Sequence, residues 1–188
     1  MIRPLQFYLL LVGFHLGQLV WYAPRLPETV ATHFDATGEP DGWMPRAVFL
    51  GFFAGLSLLY VVVFFAVAAL VRRTPAAVFS LPNKEYWLAP DRAAATRRAI
   101  SGELFKFAAA TQALTIVVTQ LVVEVGLGRR QTLSDVFWVA LVAYFAIVTW
   151  WLIALFRRFR LPVGAGETGG TGGTGEPDGD GTREVEPR

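Results

Sequence analysis

Four long apolar stretches, separated by polar segments, dominate the pattern of the chain. They cover residues 5–23, 46–71, 103–127 and 135–157. At ~1.5 Å rise per residue, about 20 apolar residues cross a hydrocarbon core of about 30 Å. A cleaved signal peptide is the alternative for the first stretch, but Trp21-Tyr22-Ala23 lacks the small residues of a cleavage site. The pattern predicts an all-α integral membrane protein, with a four-transmembrane-helix bundle at residues 1–160.

Positive charge is unevenly shared between the polar segments, which are a loop at 24–45, a longer loop at 72–102 and a tail at 161–188. Lys and Arg are retained on the cytoplasmic side, so we expect both termini and the longer loop there and loop 24–45 outside. The tail consists mostly of Gly, Thr, Glu, Asp and Pro, which predicts a disordered cytoplasmic segment. The basic residues of the inner side are Arg3, Arg72, Arg73, Lys84, Arg92, Arg97, Arg98, Lys106, Arg157, Arg158 and Arg160, and those of the outer side are Arg25, Arg46, Arg129 and Arg130.

The outer loop is the polar segment with the clearest internal pattern. Apolar and polar residues alternate over 30–35, which predicts a short extended segment with His33 and Asp35 on one face. The Gly, Pro and Asp residues that follow predict a turn and a small folded cap. We expect this loop to be ordered and to recognise an extracytoplasmic ligand. The candidate ligand-binding residues are His33, Asp35, Gly38, Asp41, Gly42 and Trp43.

Two of the apolar stretches contain polar side chains that would lie inside the membrane. His15 and Gln18 lie in the first stretch, at depths close to those of Thr119 and Gln120 in the third, and Glu124 lies one turn from Gln120. Intramembrane ionisable residues are functional candidates by default. The structural interpretation, which we favour, is that they form ordinary interhelical hydrogen bonds, with Glu124 paired to a basic residue of the adjacent turn.

Two G-x-x-x-G patterns occur at similar depths in the first two apolar stretches. Gly13 and Gly17 form one, and Gly51 and Gly55 form the other. Because such patterns let helix backbones approach closely, they predict a contact between the first and second helices. The alternative is that glycine is simply frequent in membrane helices.

The inner loop contains the sequence LPNKEYW, in which a turn precedes two charged residues and two aromatic ones. The aromatic pair predicts anchors at the level of the lipid headgroups. A docking site for a partner is the alternative, since aromatic residues beside charges are common in interface hot spots. The residues of this motif are Asn83, Lys84, Glu85, Tyr86 and Trp87.

Composition excludes several function classes. The chain has 54% hydrophobic residues, a formal net charge of +2 and no cysteine, which removes thiolate chemistry, disulfides and Cys-ligated metals. The basic residues form no patch suited to nucleic acid. His33 and Asp35 have no Ser or Cys nucleophile paired with them by motif, and the acidic residues of the loop follow no known metal-ligand spacing. We therefore expect no enzyme activity, no cofactor and no metal.

The outer loop also resembles a known family. LPETVATHFDATGEPDGWMPR, residues 26–46, is similar to the L-P-x-x-V-P-x-H-(FW)-(ND)-x-x-G-x-(PI)-D-G pattern of a bacterial membrane family known only as domain of unknown function 1648. LPNKEYWLAP, residues 81–90, resembles a second signature of that family. The resemblance implies a bacterial inner (plasma) membrane protein with a sensor or immunity role against membrane-active peptides, as in its SdpI-like members.

The resemblance also implies partners. These are membrane lipids and either an extracytoplasmic peptide or another membrane protein. SdpI-type proteins have further helices and a G-I-R-T-P-W-T-like stretch, of which only Arg73-Thr74-Pro75 is present here. A small transporter or channel subunit that uses the intramembrane polar residues is the alternative function. The sequence does not predict the oligomeric state.

Overall fold

The computed structural model describes residues 3–133 and 135–160. Within these ranges, four helices are long and apolar enough to cross a membrane. The predicted disordered tail at 161–188 lies outside the described residues. The elements in chain order are α1 Pro4–Tyr22, β1 Thr29–Phe34, β2 Pro40–Pro45, α2 Arg46–Arg73, a 3₁₀ turn at Ala76–Val78, α3 Lys84–Trp87, α4 Ala93–Gly126 and α5 Val136–Arg158.

The central element is α4, which contacts α1, α2, α5 and β1. It begins at Ala93, about ten residues before the third apolar stretch, because the residues between Ala93 and that stretch are rich in Ala and Arg, which favour helix. Between Phe105 and Thr119 its buried positions recur every three or four residues, which puts them on the faces that the other helices cover, and near its end Leu121, Val122, Val123 and Val125 are buried on several sides. Two clusters of buried apolar side chains surround it. The inner cluster is Tyr8, Val12, Phe64, Ala68, Phe105, Ala108 and Ala109, and the outer cluster is Leu26, Val30, Phe49, Val122 and Val123.

The last helix, α5, lies at the edge of the bundle. It packs on α4, and none of its side chains is buried. Large apolar residues such as Val139, Val142 and Trp150 are more than half exposed. A bilayer would supply lipid tails, which are as apolar as a protein core, so a peripheral helix of this kind would need no further protein cover there.

The expected all-α class is wrong in one respect, because the outer loop folds as a two-stranded antiparallel β-hairpin. β1 pairs with β2, with Val30 opposite Met44 and His33 opposite Gly42. A loop without regular pairing would leave its backbone N–H and C=O groups unsatisfied where it packs on the helices, and the ladder satisfies them. Val30 is fully buried and fixes β1 against the ends of α2 and α4.

The predicted glycine contact between the first two helices is wrong. Gly13 and Gly17 of α1 and Gly51 and Gly55 of α2 are all exposed, and a Cβ atom added to any of them would meet nothing within 4 Å. The two helices do contact each other, through other faces. His15 faces the bundle interior, and because it is rotated by about 200° from Gly13, the glycines point outward.

Candidate functional site

An open groove lies beside the hairpin, and we call it the outer groove. Its volume is about 360 Å³. β1 and the hairpin turn form one wall, and the other walls come from α2, α4, the start of α5 and Leu133. Most of its lining is apolar, whereas His33 and Asp35 contribute polar groups from the hairpin. The lining residues are Thr32, His33, Phe34, Asp35, Ala36, Gly38, Phe53, Val118, Val122, Leu133, Phe137 and Trp138.

Asp35 organises the hairpin turn. The strand ends at Phe34, so Asp35 lies in the turn and not on the strand face where the sequence pattern had placed it. Its Oδ1 accepts hydrogen bonds from the Thr37 hydroxyl at 2.7 Å, the Thr37 N–H at 2.8 Å and the Glu39 N–H at 2.9 Å. The Thr37 hydroxyl, helped by these backbone donors, lowers the pKa of the Asp35 carboxyl from its ordinary value. One carboxylate oxygen is thus occupied by the turn.

Gly38 joins the hairpin to the segment before α5. The Leu133 N–H donates to the Gly38 carbonyl at 2.7 Å. Gly38 has φ +83°, and a Cβ there would lie 2.7 Å from the Leu133 oxygen. Only glycine adopts this positive φ without strain and has no Cβ to collide with the Leu133 oxygen. This contact closes the groove at one end.

His33 pairs with Asp41 across the hairpin. The His33 Nδ1 is hydrogen-bonded to the Asp41 carboxylate. Both side chains are largely exposed, so the pair lies in water at the rim of the groove. Gly42 is opposite His33, and a Cβ on it would lie 2.8 Å from the His33 Cβ, so its identity is set by this close approach. Trp43 is 62% exposed and available to an interface or a ligand.

A second polar assembly, the buried polar cluster, links three helices. It consists of His15 on α1, Ser57 on α2, and Gln112 and Thr119 on α4, all of them fully buried. His15 Nδ1 lies 2.7 Å from the Ser57 hydroxyl and 2.9 Å from Gln112 Nε2, and its Nε2 lies 3.0 Å from the Thr119 hydroxyl. Ser57 was not among the residues singled out from the sequence. The available signal was a lone small hydroxyl within a run of apolar residues on α2.

The other predicted intramembrane residues meet nearer the outer end. Gln18 Nε2 donates to Gln120 Oε1 at 2.9 Å, and Gln120 Nε2 donates to the Tyr22 hydroxyl at 3.1 Å and to Glu124 at 3.2 Å. Arg130 forms an ion pair with Glu124. The four residues named from the sequence therefore divide into His15 in the buried polar cluster and the remaining three in this separate chain.

A carboxylate that sequence reasoning missed holds α5 to α4. The Glu103 side chain is 12% exposed and accepts hydrogen bonds from Arg158 at 2.7 Å and Lys106 at 2.8 Å. The Trp151 indole donates to its other oxygen at 3.1 Å. These donors compensate for the removal of the carboxylate from water. The signal in the sequence was an acidic residue at the start of an apolar stretch.

The inner motif also holds α5. The Trp87 indole N–H donates to the Phe159 carbonyl at 2.9 Å, and Asn83 Nδ2 donates to the same oxygen at 3.1 Å. Lys84 donates to the Ala77 carbonyl at 3.2 Å, and the Tyr86 ring contacts the Arg92 guanidinium. Glu85 is exposed. Trp87 and Asn83 thus satisfy the carbonyl of Phe159, the residue that follows α5, and the position of Trp87 at the headgroup level stays a prediction.

Within residues 3–133 and 135–160, no three His, Asp or Glu side chains come together in a group that would hold a metal ion. The described surface offers an apolar groove with a polar rim, and hydrogen-bonded contacts join the helices.

Comparison with known proteins identifies a family for the N-terminal part of the chain. The chain matches no curated protein and no solved structure. The matched region of a family model, in contrast, runs from α1 through the complete hairpin into the first half of α2, and so includes His15, Ser57 and the hairpin wall of the outer groove. Residues 10–58 match the family described as "Domain of unknown function (DUF1648)", and this chain is therefore a DUF1648 domain-containing protein.

Proposed function

We propose that this protein is a sensor or immunity protein of a bacterial inner membrane, which binds a membrane-active peptide in the outer groove. Four helices suited to crossing a membrane support a multi-pass protein. The excess of Arg and Lys at the end opposite the hairpin supports cytoplasmic termini and an extracytoplasmic hairpin. The protein does not need a catalytic group for this role.

The observation that carries the proposal is the composition of the outer groove. Its volume, about 360 Å³, is that of a small-ligand pocket, so it accommodates a few apolar side chains of a bound peptide and not the whole helix. Phe53, Val118 and Phe137 supply apolar walls, and His33 and Asp35 supply polar groups on one side. A membrane-active peptide likewise has an apolar face and a polar face, because one face enters the lipid and the other stays in water. The exposed carboxylates of the hairpin attract a cationic peptide.

The arrangement of α5 provides a route from binding to signalling. Its first residues, including Phe137 and Trp138, line the outer groove, while its other end is held by Glu103 and by the Trp87 contact. Because α5 packs mainly on α4 and none of its described side chains is buried, a ligand in the groove can shift it without disrupting a core. Such a shift changes the inner loop, which carries the LPNKEYW motif.

The test fills the groove without removing any polar group. Cells with and without the protein are exposed to a panel of synthetic cationic amphipathic helical peptides, and survival is measured. We expect the protein to raise the lethal concentration of at least one peptide at least tenfold. Val118→Phe, which fills the groove, should abolish this protection. Val139→Phe, on the exposed face of α5, should retain it. No protection by the unaltered protein, or equal behaviour of the two variants, would contradict the proposal.

The signalling step has its own measurement. Because the chain contains no cysteine, two introduced cysteines are its only thiols and can be spin-labelled specifically. Leu59 on α2 and Ile153 on α5 are exposed positions for the labels. A protective peptide should change the distance distribution between them in lipid nanodiscs. An unchanged distribution in the presence of a bound, protective peptide would limit the role to sequestration.

A second candidate function is passage of protons or ions through the bundle. It is favoured by the buried polar cluster, in which Gln112 Oε1 is buried without a hydrogen-bond partner among the described residues. Flux in liposomes that is lost in His15→Ala would support it. If the liposomes show no flux and the protein still protects cells from a peptide, peptide binding in the outer groove is the function that the results support.

A further inference from the structure

A basic cleft lies at the end of the bundle opposite the hairpin. Its volume is about 550 Å³. Four arginines from three segments line it: Arg3 before α1, Arg72 in the last turn of α2, and Arg97 and Arg98 near the start of α4. No Asp or Glu is among the described lining residues. Among residues 3–133 and 135–160, the cleft therefore concentrates positive charge that no lining carboxylate neutralises.

The guanidinium groups are available to a ligand. In the described part of the chain, none of the four forms an ion pair with a carboxylate. Arg97 is partly engaged, since it donates to the Val71 carbonyl and lies over the Phe79 ring. These contacts hold Arg97 in place, and no described carboxylate pairs with its guanidinium group. Arg3, Arg72 and Arg98 are exposed.

We propose that this cleft binds the phosphate group of an anionic phospholipid. Arginine binds phosphate through two parallel N–H donors, and several arginines at one site can contact the different oxygens of one phosphate group. The apolar wall, formed by Pro4, Leu5 and Phe105, distinguishes a lipid from free phosphate, because a lipid continues from its headgroup into an apolar chain. The cleft lies where helices suited to crossing a membrane begin or end, which is the depth of the headgroups.

The chain offers a closely matched pair of variants. Arg72 lines the cleft, whereas its neighbour Arg73, also exposed and in the same helical turn, does not. Arg72→Gln and Arg73→Gln therefore remove the same charge from the same end of α2, and only the first should affect the site. Arg98→Gln is a second variant of the cleft on another helix.

Lipid binding is measured by native mass spectrometry of the detergent-solubilised protein, titrated with dioleoyl phosphatidylglycerol or dioleoyl phosphatidylcholine. We expect preferential binding of phosphatidylglycerol. Arg72→Gln and Arg98→Gln should each weaken it about fivefold, which corresponds to ~1 kcal/mol per arginine. Arg73→Gln should stay within about twofold of the unaltered protein. Thermal unfolding in detergent without added lipid confirms that each variant is folded.

Three outcomes would overturn the proposal. Equal binding of both lipids would remove the headgroup selectivity. Equal losses in Arg72→Gln and Arg73→Gln would indicate general attraction by surface charge and not a cleft. A competition arm adds inorganic phosphate at constant ionic strength. If millimolar phosphate displaces the lipid completely and protects the protein from unfolding as well as the lipid does, the site binds free phosphate.

Discussion

Replacing His15 by alanine should destabilise the bundle more than any other single polar truncation in α1. The side chain is fully buried and is hydrogen-bonded at both ring nitrogens: Nδ1 lies 2.7 Å from the Ser57 hydroxyl and 2.9 Å from Gln112 Nε2, which share this one nitrogen, and Nε2 lies 3.0 Å from the Thr119 hydroxyl. Interhelical hydrogen bonds in membrane proteins contribute ~0.6 kcal/mol on average. Hydrogen bonds at two ring nitrogens give about 1 kcal/mol, and the cavity left by the imidazole ring, together with the polar groups left unpaired, adds about 2 kcal/mol more.

Part of this loss is recovered by the partners. Gln112 Nε2 already lies 3.1 Å from the Ser57 hydroxyl, so these two groups retain one hydrogen bond without the imidazole. Thr119 can turn its hydroxyl to a carbonyl of the preceding turn, as Thr115 does with Thr111 at 3.0 Å. We therefore expect a net destabilisation of about 2 to 3 kcal/mol.

The free energy of unfolding can be measured by SDS titration of the purified protein in mixed micelles, followed by circular dichroism. Two variants of the same helix calibrate the result. Gly13→Ala places a methyl group in open space and should change stability by less than about 1 kcal/mol. Gln18→Ala removes one interhelical bond and should cost about 0.6 kcal/mol. If His15→Ala costs no more than Gln18→Ala, the buried polar cluster does not stabilise the bundle as we argue.

Three further predictions concern other contacts. Gly42→Ala should destabilise the hairpin by about 1 to 3 kcal/mol, because the new methyl group would lie 2.8 Å from the His33 Cβ. SDS unfolding measures this loss of stability. An unchanged unfolding midpoint would contradict the close approach of the two residues. The pKa of Asp35 is lowered in the fold, so its stabilisation is present above the ordinary value of 3.8 and is lost as the pH falls further. Amide chemical shifts in the turn should follow that loss, and Asp35→Asn should keep the turn but remove the pH dependence. Glu103→Gln should weaken the attachment of α5 by about 1 to 2 kcal/mol, because Arg158 loses its charged partner. The effect should shrink in high salt, and SDS unfolding would detect it.

The positions of the long helices were predictable because lipid imposes a simple rule on sequence. A chain that crosses a hydrocarbon core must satisfy its backbone internally and expose apolar side chains, so the apolar stretches mark the helices directly. The hairpin was predictable only in part. Alternation over 30–35 indicated an extended segment, but the strand ends at Phe34, and Asp35 was thereby assigned to the wrong local structure.

The candidate sites were less predictable, since they depend on which face of each helix turns inward. The four exposed glycines illustrate this point, because their spacing suggested a contact that the inward rotation of His15 prevents. Ser57 carries no signal of its own until α1 and α4 bring a histidine and a glutamine to it.

The sequence by itself determined the four apolar helices, the polar character of the outer loop and the distribution of charge, because each follows from the local match between a segment and its solvent. Tertiary structure alone decided the outer groove, the buried polar cluster and the role of Glu103. These depend on side chains far apart in the chain, such as His33 and Val118, which line one groove, or Glu103 and Arg158, which form an ion pair. Their meeting is fixed by helix rotation and packing around α4, which no local pattern of apolar residues specifies.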